Sequence, residues 1–221
     1  QPPELIELTS PKARVLLLLD ISESMNEVDL ASSSGSVTRI TGMKEFAHRY
    51  IDMLSSVPVE LGIAAFNQSA QIKMDFCELN DRQCSVYEAK SVVDRLVAGG
   101  EKNLHAGLKL AEKMFFAEPA EGPSIVILMS DGLPSSLSAN SIDEIIKQID
   151  ALNEKNIILH LAVTETLSDN TNNLFKKMAE RAGTIFPRQI NTTELPILEN
   201  SIAYRVSKGL TLNSKAKTAK P

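Results

Sequence analysis

Asp20, Ser22 and Ser24 stand two residues apart in the stretch DISES, directly after four leucines at 16–19. In an extended segment alternate side chains point the same way, so one carboxylate and two hydroxyls can converge just past the end of a strand. A second apolar run, IVILM at 125–129, leads into SDG, and Asp131 leaves that run in the same manner. Two carboxylates and two hydroxyls form a hard, all-oxygen set. It suits Mg2+, with Mn2+ or Ca2+ as substitutes, and suits neither zinc nor copper. The plainer reading of DISES is a strand end whose aspartate accepts backbone donors while the serines cap or turn the chain. Adding Asp131 from a second strand favours a binding site over coincidence.

Such a cluster needs elements to hold it. Residues 13–20, 59–66, 70–76, 124–132 and 156–163 read as strands. The three-residue connection NQS between the second and third of these reads as a hairpin, which makes one edge strand antiparallel. Helices are expected at 41–54, where Met43, Phe46, Ala47, Tyr50, Ile51 and Leu54 form one stripe, at 85–97, and at 103–116 with Asn103 as cap. A further helix runs over 141–152, with Ser141 as N-cap and Ile142, Ile145, Ile146, Ile149 and Leu152 on one face. A helix at 170–183 stopped by Gly183, a short strand at 184–187 and a closing helix at 192–206 complete the chain. Alternating apolar strands and amphipathic helices mean a doubly wound α/β fold, Rossmann-like, with a mostly parallel central sheet, one antiparallel edge strand and helices on both faces. Ligands of such folds bind outside the carboxyl ends of the strands, where Asp20 and Asp131 emerge.

Composition narrows the function. A chain of 221 residues with 43% apolar content can bury a sizeable core as one domain. The net charge of −5 argues against nonspecific nucleic-acid binding, and no apolar run is long enough for this segment to insert into a membrane. The start at Gln1, without a signal-peptide pattern, is expected to be a processed or excised boundary of a larger protein, compatible with an anchor elsewhere. Cys77 and Cys84 bracket a short polar loop. A disulfide there stabilises by about 2.5 kcal/mol on the loop-entropy model and implies an oxidising compartment; two free thiols imply the cytoplasm. The disulfide is the favoured reading, and with it an extracytoplasmic location: periplasmic, secreted or cell-surface.

DISES followed by MSDG, in this strand order, resembles the von Willebrand factor A domain and its metal-ion-dependent adhesion site. The resemblance also takes in LGIAAF, GGEKNLHAGLKLA and LHLAVTE, and spans roughly 13–206. It implies a domain at 13–207, after an N-terminal extension at 1–12; the tail at 208–221, with Lys208, Lys215, Lys217 and Lys220 and no apolar pattern, reads as basic and flexible. The resemblance further implies that Ser22 and Ser24 bind the ion directly, that Asp20 and Asp131 act mainly through ion-bound water, and that a partner protein's Asp or Glu fills the last position. The expected partner-binding rim is Glu23, Met25, Asn103, His105 and Gly132, although Met25 also reads as a plug beneath its loop and His105 as a structural residue.

One position departs from that family. Where its members usually carry a threonine in a GGTN turn, this chain reads GGEKN, which puts Glu101 or Lys102 at the third hydroxyl position. A lysine charge about 5 Å from a divalent ion costs about 6 kcal/mol at an effective dielectric of 20. Three outcomes follow: Glu101 donates an oxygen while Lys102 points to solvent; four protein groups hold the metal weakly; or the ammonium takes the ion's place. Metal binding is the expectation.

Several residues carry plainer expectations. His48 reads as solvated and His160 as a hydrogen-bonded core residue. The serine-rich stretch 26–39 reads as a long flexible loop beside the site. Asn67 and Asn191 begin glycosylation sequons. Catalysis is not expected. A haloacid-dehalogenase-type phosphatase needs an aspartate where Ser22 stands, and neither a G-x-S-x-G elbow nor a phosphate-binding glycine loop occurs. Protein recognition of the adhesion type remains. Its alternatives are an intracellular adaptor for an ATPase or metal-insertion complex, and a metal-free structural scaffold.

Overall fold

The computed structural model describes residues 12–32, 35–82, 84–117, 122–132, 139–163, 178 and 180–181. The run of leucines lies in β1 (Ala13–Asp20), whose eight residues are all buried. Among the described residues it is the middle strand of a five-stranded sheet with β4 (Val59–Phe66), β5 (Ala70–Glu78), β6 (Ser124–Ser130) and β7 (Ile157–Val163), in the order β5-β4-β1-β6-β7. Only the β4–β5 pair is antiparallel, as the NQS hairpin requires.

Alternation along β1 feeds two cores. Val15, Leu17 and Leu19 pack with Met43, Tyr50 and Ile51 of α1 (Arg39–Leu54) and with Ala89 and Val93 of α2 (Val86–Asp94). Leu16 and Leu18 face the other way, onto Leu108 and Ala111 of α3 (Leu104–Ala117) and Ile145 and Ile149 of α4 (Ala139–Glu154). Each such leucine stabilises the fold by about 1.5–3 kcal/mol, so moving the strand by one residue would misplace both cores. The expected architecture is therefore the observed one.

Some boundaries differ for local reasons. The stretch expected to be a flexible loop forms a hairpin apart from the main sheet, β2 (Val28–Ser32) with β3 (Gly35–Thr38). Its Val28, Val37 and Thr38 are β-branched, and Gly35 takes the positive φ of +115° that a side chain would oppose. Thr38 then caps α1, its Oγ1 accepting from Thr41 N at 3.3 Å, so that helix begins earlier than its apolar stripe. Ser141 is not a cap, because α4 already starts at Ala139; the apolar period marks a face and does not mark the first turn. α2 begins with Ser85 as cap and stops at Asp94, short of Val97. After it the chain turns so that Leu96 enters the core and Gly99 reaches the sheet edge. The helices expected at 170–183 and 192–206, the strand at 184–187, Asn191 and the tail lie outside the described residues, apart from Met178, Glu180 and Arg181.

Cys77 and Cys84 are joined in a disulfide, with Cα atoms 5.9 Å apart, and Cys84 is wholly buried. The bond ties the end of β5 to the start of α2. We expect reduction, or the Cys77→Ser/Cys84→Ser double variant, to lower unfolding free energy by about 2.5 kcal/mol in urea melts. Melts that coincide with and without reductant would contradict this.

Candidate functional site

β1 and β6 are parallel neighbours, in register at Leu19 and Met129, so their carboxyl ends leave the sheet side by side. Asp20 is fully buried there. Its Oδ1 accepts from Ser22 N at 2.8 Å and its Oδ2 from Ser130 Oγ at 2.6 Å. The hydroxyls of Ser22 and Ser24 lie 3.2 Å apart, and the Ser24 side chain is hydrogen-bonded to Asp131. The four oxygen-bearing residues expected to converge do converge.

Lys102 reaches the centre of this group. The loop that carries it is fastened on two sides: Gly99 N donates to Ile21 O, and Asn103 N to Asn67 O, each at 2.8 Å. Asn67 uses its side-chain amide to donate to Gly99 O at 2.8 Å, so this sequon asparagine is engaged internally. Gly100 takes φ +81° within the loop. At Gly107 a Cβ would fall 2.9 Å from the Phe66 ring, and this close approach brings the start of α3 down onto β4. The Lys102 ammonium, on a side chain 7% exposed, is in direct contact with Asp131 Oδ1 and lies 3.1 Å from Asp20 Oδ2. Its third neighbour is the Gly132 carbonyl at 3.4 Å.

Asp131 has a second cation. Arg39, buried at the first turn of α1, donates to Asp131 Oδ2 at 2.8 Å and to Asp29 Oδ1 at 2.9 Å, and forms an ion pair with Glu27 at 2.9 Å. Burial would raise the Asp131 carboxyl. The charge and hydrogen bond of Lys102, with the bonds from Ser24 and Arg39, outweigh that and hold it below the usual carboxylate value.

The rim differs from expectation at Met25 and Gly132. Glu23 and Asn103 are exposed at this edge, Asn103 also capping α3 by accepting from Ala106 N at 3.0 Å. Met25 is fully buried in the core beneath the loop, as a plug, and cannot form part of a rim. Gly132 is buried, its carbonyl turned inward to Lys102 and Ser130. His105 faces Glu144 of α4 at 3.9 Å, and Glu101 is exposed. Away from the site, His48 lies 3.0 Å from Asp94 and is less solvated than expected, while His160 is buried in β7.

Sequence reasoning missed Arg39 and the hydroxyl of Ser130. Arg39 lay at the end of the expected loop, so the signal that a first-turn cation opposes the helix dipole and calls for an acidic partner emerges only once α1 is seen to begin there.

A divalent ion does not fit these residues as they are arranged. The ammonium touches both carboxylates of the expected ion site, and Lys102 and Arg39 match the two buried anionic charges one for one.

Arg39→Met leaves Asp131 with one cation fewer in a site that is 1% exposed. We expect a loss of about 3–5 kcal/mol in urea unfolding. Arg39→Lys should recover little, since one ammonium cannot replace the planar fork that spans Asp131 and Asp29. Full recovery by lysine would show that charge alone matters.

Comparison with known proteins places the chain in context. The model of the von Willebrand factor type A domain matches residues 15–133. No curated protein matches by sequence. Among solved structures, a von Willebrand factor type A protein from Catenulispora acidiphila superposes with a TM-score of 0.68 at 18% identity, covering 89% of this chain and 43% of that one. This chain thus spans less than half of that relative. The vWF domain of the type V pili tip protein Mfa5 from Porphyromonas gingivalis gives a TM-score of 0.71 at 12% identity, covering 91% and 97% of the two chains. The SpRpn10 VWA domain gives 0.60 at 15% identity, covering 84% and 93%. At these identities the likeness is one of fold.

Proposed function

Because the chain belongs to the von Willebrand factor type A domain family, we propose that it is a protein-recognition module of the adhesion type, gripping a partner at the carboxyl edge of its sheet. The observation that carries this reading is the set of four buried charges gathered at that edge, Asp20, Asp131, Arg39 and Lys102. A hydrophobic substitute for such a cluster is often no less stable, so concentrating it at one edge points to use. Exposed Glu23, Glu101 and Asn103 form the polar border of the contact. An acidic side chain of the partner reaches Lys102 by competing with the Gly132 carbonyl, the longest of the ammonium's three contacts at 3.4 Å.

The proposal is of binding without catalysis. Asp131, held below the usual carboxylate range, is a poor general acid at neutral pH. The Cys77–Cys84 disulfide favours an oxidising, extracytoplasmic setting over an intracellular adaptor. The pili tip named for the Mfa5 relative is in keeping with that setting.

The test is a binding screen against arrayed extracellular and cell-surface proteins, repeated with Glu23→Trp, which blocks the edge, Asn103→Asp, which keeps the α3 cap but sets a negative charge against the partner's acid, and, at the opposite end of the sheet, Ser56→Trp. We expect the two edge variants to lose at least about tenfold in affinity, near 1.4 kcal/mol, and Ser56→Trp to bind as wild type. Equal losses from both ends, or no loss from the edge variants, would overturn the reading.

A further inference from the structure

We propose that Lys102 is a resident cation, a covalently attached ammonium standing in the position of the divalent ion, so that this sheet edge works without metal. Three observations carry the assignment. The ammonium lies between the two carboxylates, in contact with Asp131 and 3.1 Å from Asp20, on a side chain 7% exposed. It hydrogen-bonds to Asp131 and, at 3.4 Å, to the Gly132 carbonyl, so oxygen atoms of three residues surround it. The loop that delivers it is fixed by backbone bonds to the ends of both β1 and β4, from Gly99 to Ile21 and from Asn103 to Asn67, which hold the lysine's Cα near the site.

The charges agree with this assignment. Asp20 and Asp131 carry two negative charges, and Lys102 and Arg39 carry two positive ones. A divalent ion beside Lys102 would leave four positive charges against two buried negative ones. It can enter only if the ammonium leaves, and the ammonium can leave only by exposing two buried carboxylates to the exchange. The ammonium also bridges the carboxyl ends of β1 and β6, through Asp20 on one and Asp131 on the other.

This inference concerns what fills the site and does not depend on which partner is bound. It is tested by titrating Mn2+ and Mg2+ into chelator-stripped wild type, Lys102→Thr and Lys102→Thr/Asp20→Ala, with calorimetry and thermal melts as readouts. Wild type should show no saturable binding up to millimolar ion and no change in Tm on adding chelator. Lys102→Thr should gain Mn2+ affinity at least about tenfold over wild type, with a Tm that rises with ion concentration, and the added Asp20→Ala should remove the gain. If Lys102→Thr folds poorly alone, refolding in the presence of Mn2+ reads the same gain. Saturable Mn2+ binding by wild type, or a Lys102→Thr variant that gains nothing, would overturn the proposal. Neither readout involves a partner, so its failure and the failure of the recognition reading are separately visible.

Discussion

The carboxylate of Asp131, shared between Lys102 and Arg39, is the interaction on which the rest of this sheet edge depends. A lone carboxylate buried to 1% exposure would forfeit several kcal/mol of hydration. Its two cations come from segments far apart in sequence, the first turn of α1 and the loop before α3. Satisfying one acid therefore fixes where both segments end up. Asp20 follows the same logic on the neighbouring strand, held by Ser22, Ser130 and the same lysine.

Arg39 extends the cluster outward. A cation at a helix N-terminus works against the helix dipole by about 0.3–1 kcal/mol, and the charge is offset here by Asp131 within and by Asp29 and Glu27 without. Asp29 lies on β2 and Glu27 directly before it, so the hairpin over the edge is tied to the buried site through one guanidinium. A stretch that reads as flexible from its serines is ordered by a residue at its far end. The hairpin and the buried acids at this edge are thus joined in one ionic network running from Glu27 and Asp29 through Arg39 to Asp131.

A tethered ammonium and a bound divalent ion differ in what they can do. The ion brings twice the charge, with open coordination positions, and its occupancy follows the ion concentration of the compartment. The lysine brings a single charge at fixed stoichiometry, already held by two carboxylates and a carbonyl. An edge built on lysine exchanges strength of attraction for independence of metal supply. In that case more of the selectivity falls on the exposed border residues Glu23, Glu101 and Asn103.

Much of this was legible in the linear chain. The unbroken apolar run in β1 and the helical stripe of α1 are periodicities of single segments, and they determined the strands, the helices and the mostly parallel sheet. DISES and SDG likewise placed Asp20, Ser22, Ser24 and Asp131 at one edge, because a parallel sheet brings strand ends together. Tertiary structure alone decided which cation meets those acids. Whether Lys102 turned inward or to solvent depended on how the loop at 98–103 was fastened to β1 and β4. The burial of Met25 and Gly132 and the engagement of Arg39 depended in the same way on packing between distant segments. Side-chain periodicity is local and can be read from neighbours in sequence, whereas charge pairing acts through space and is settled only when remote parts of the chain close on one another.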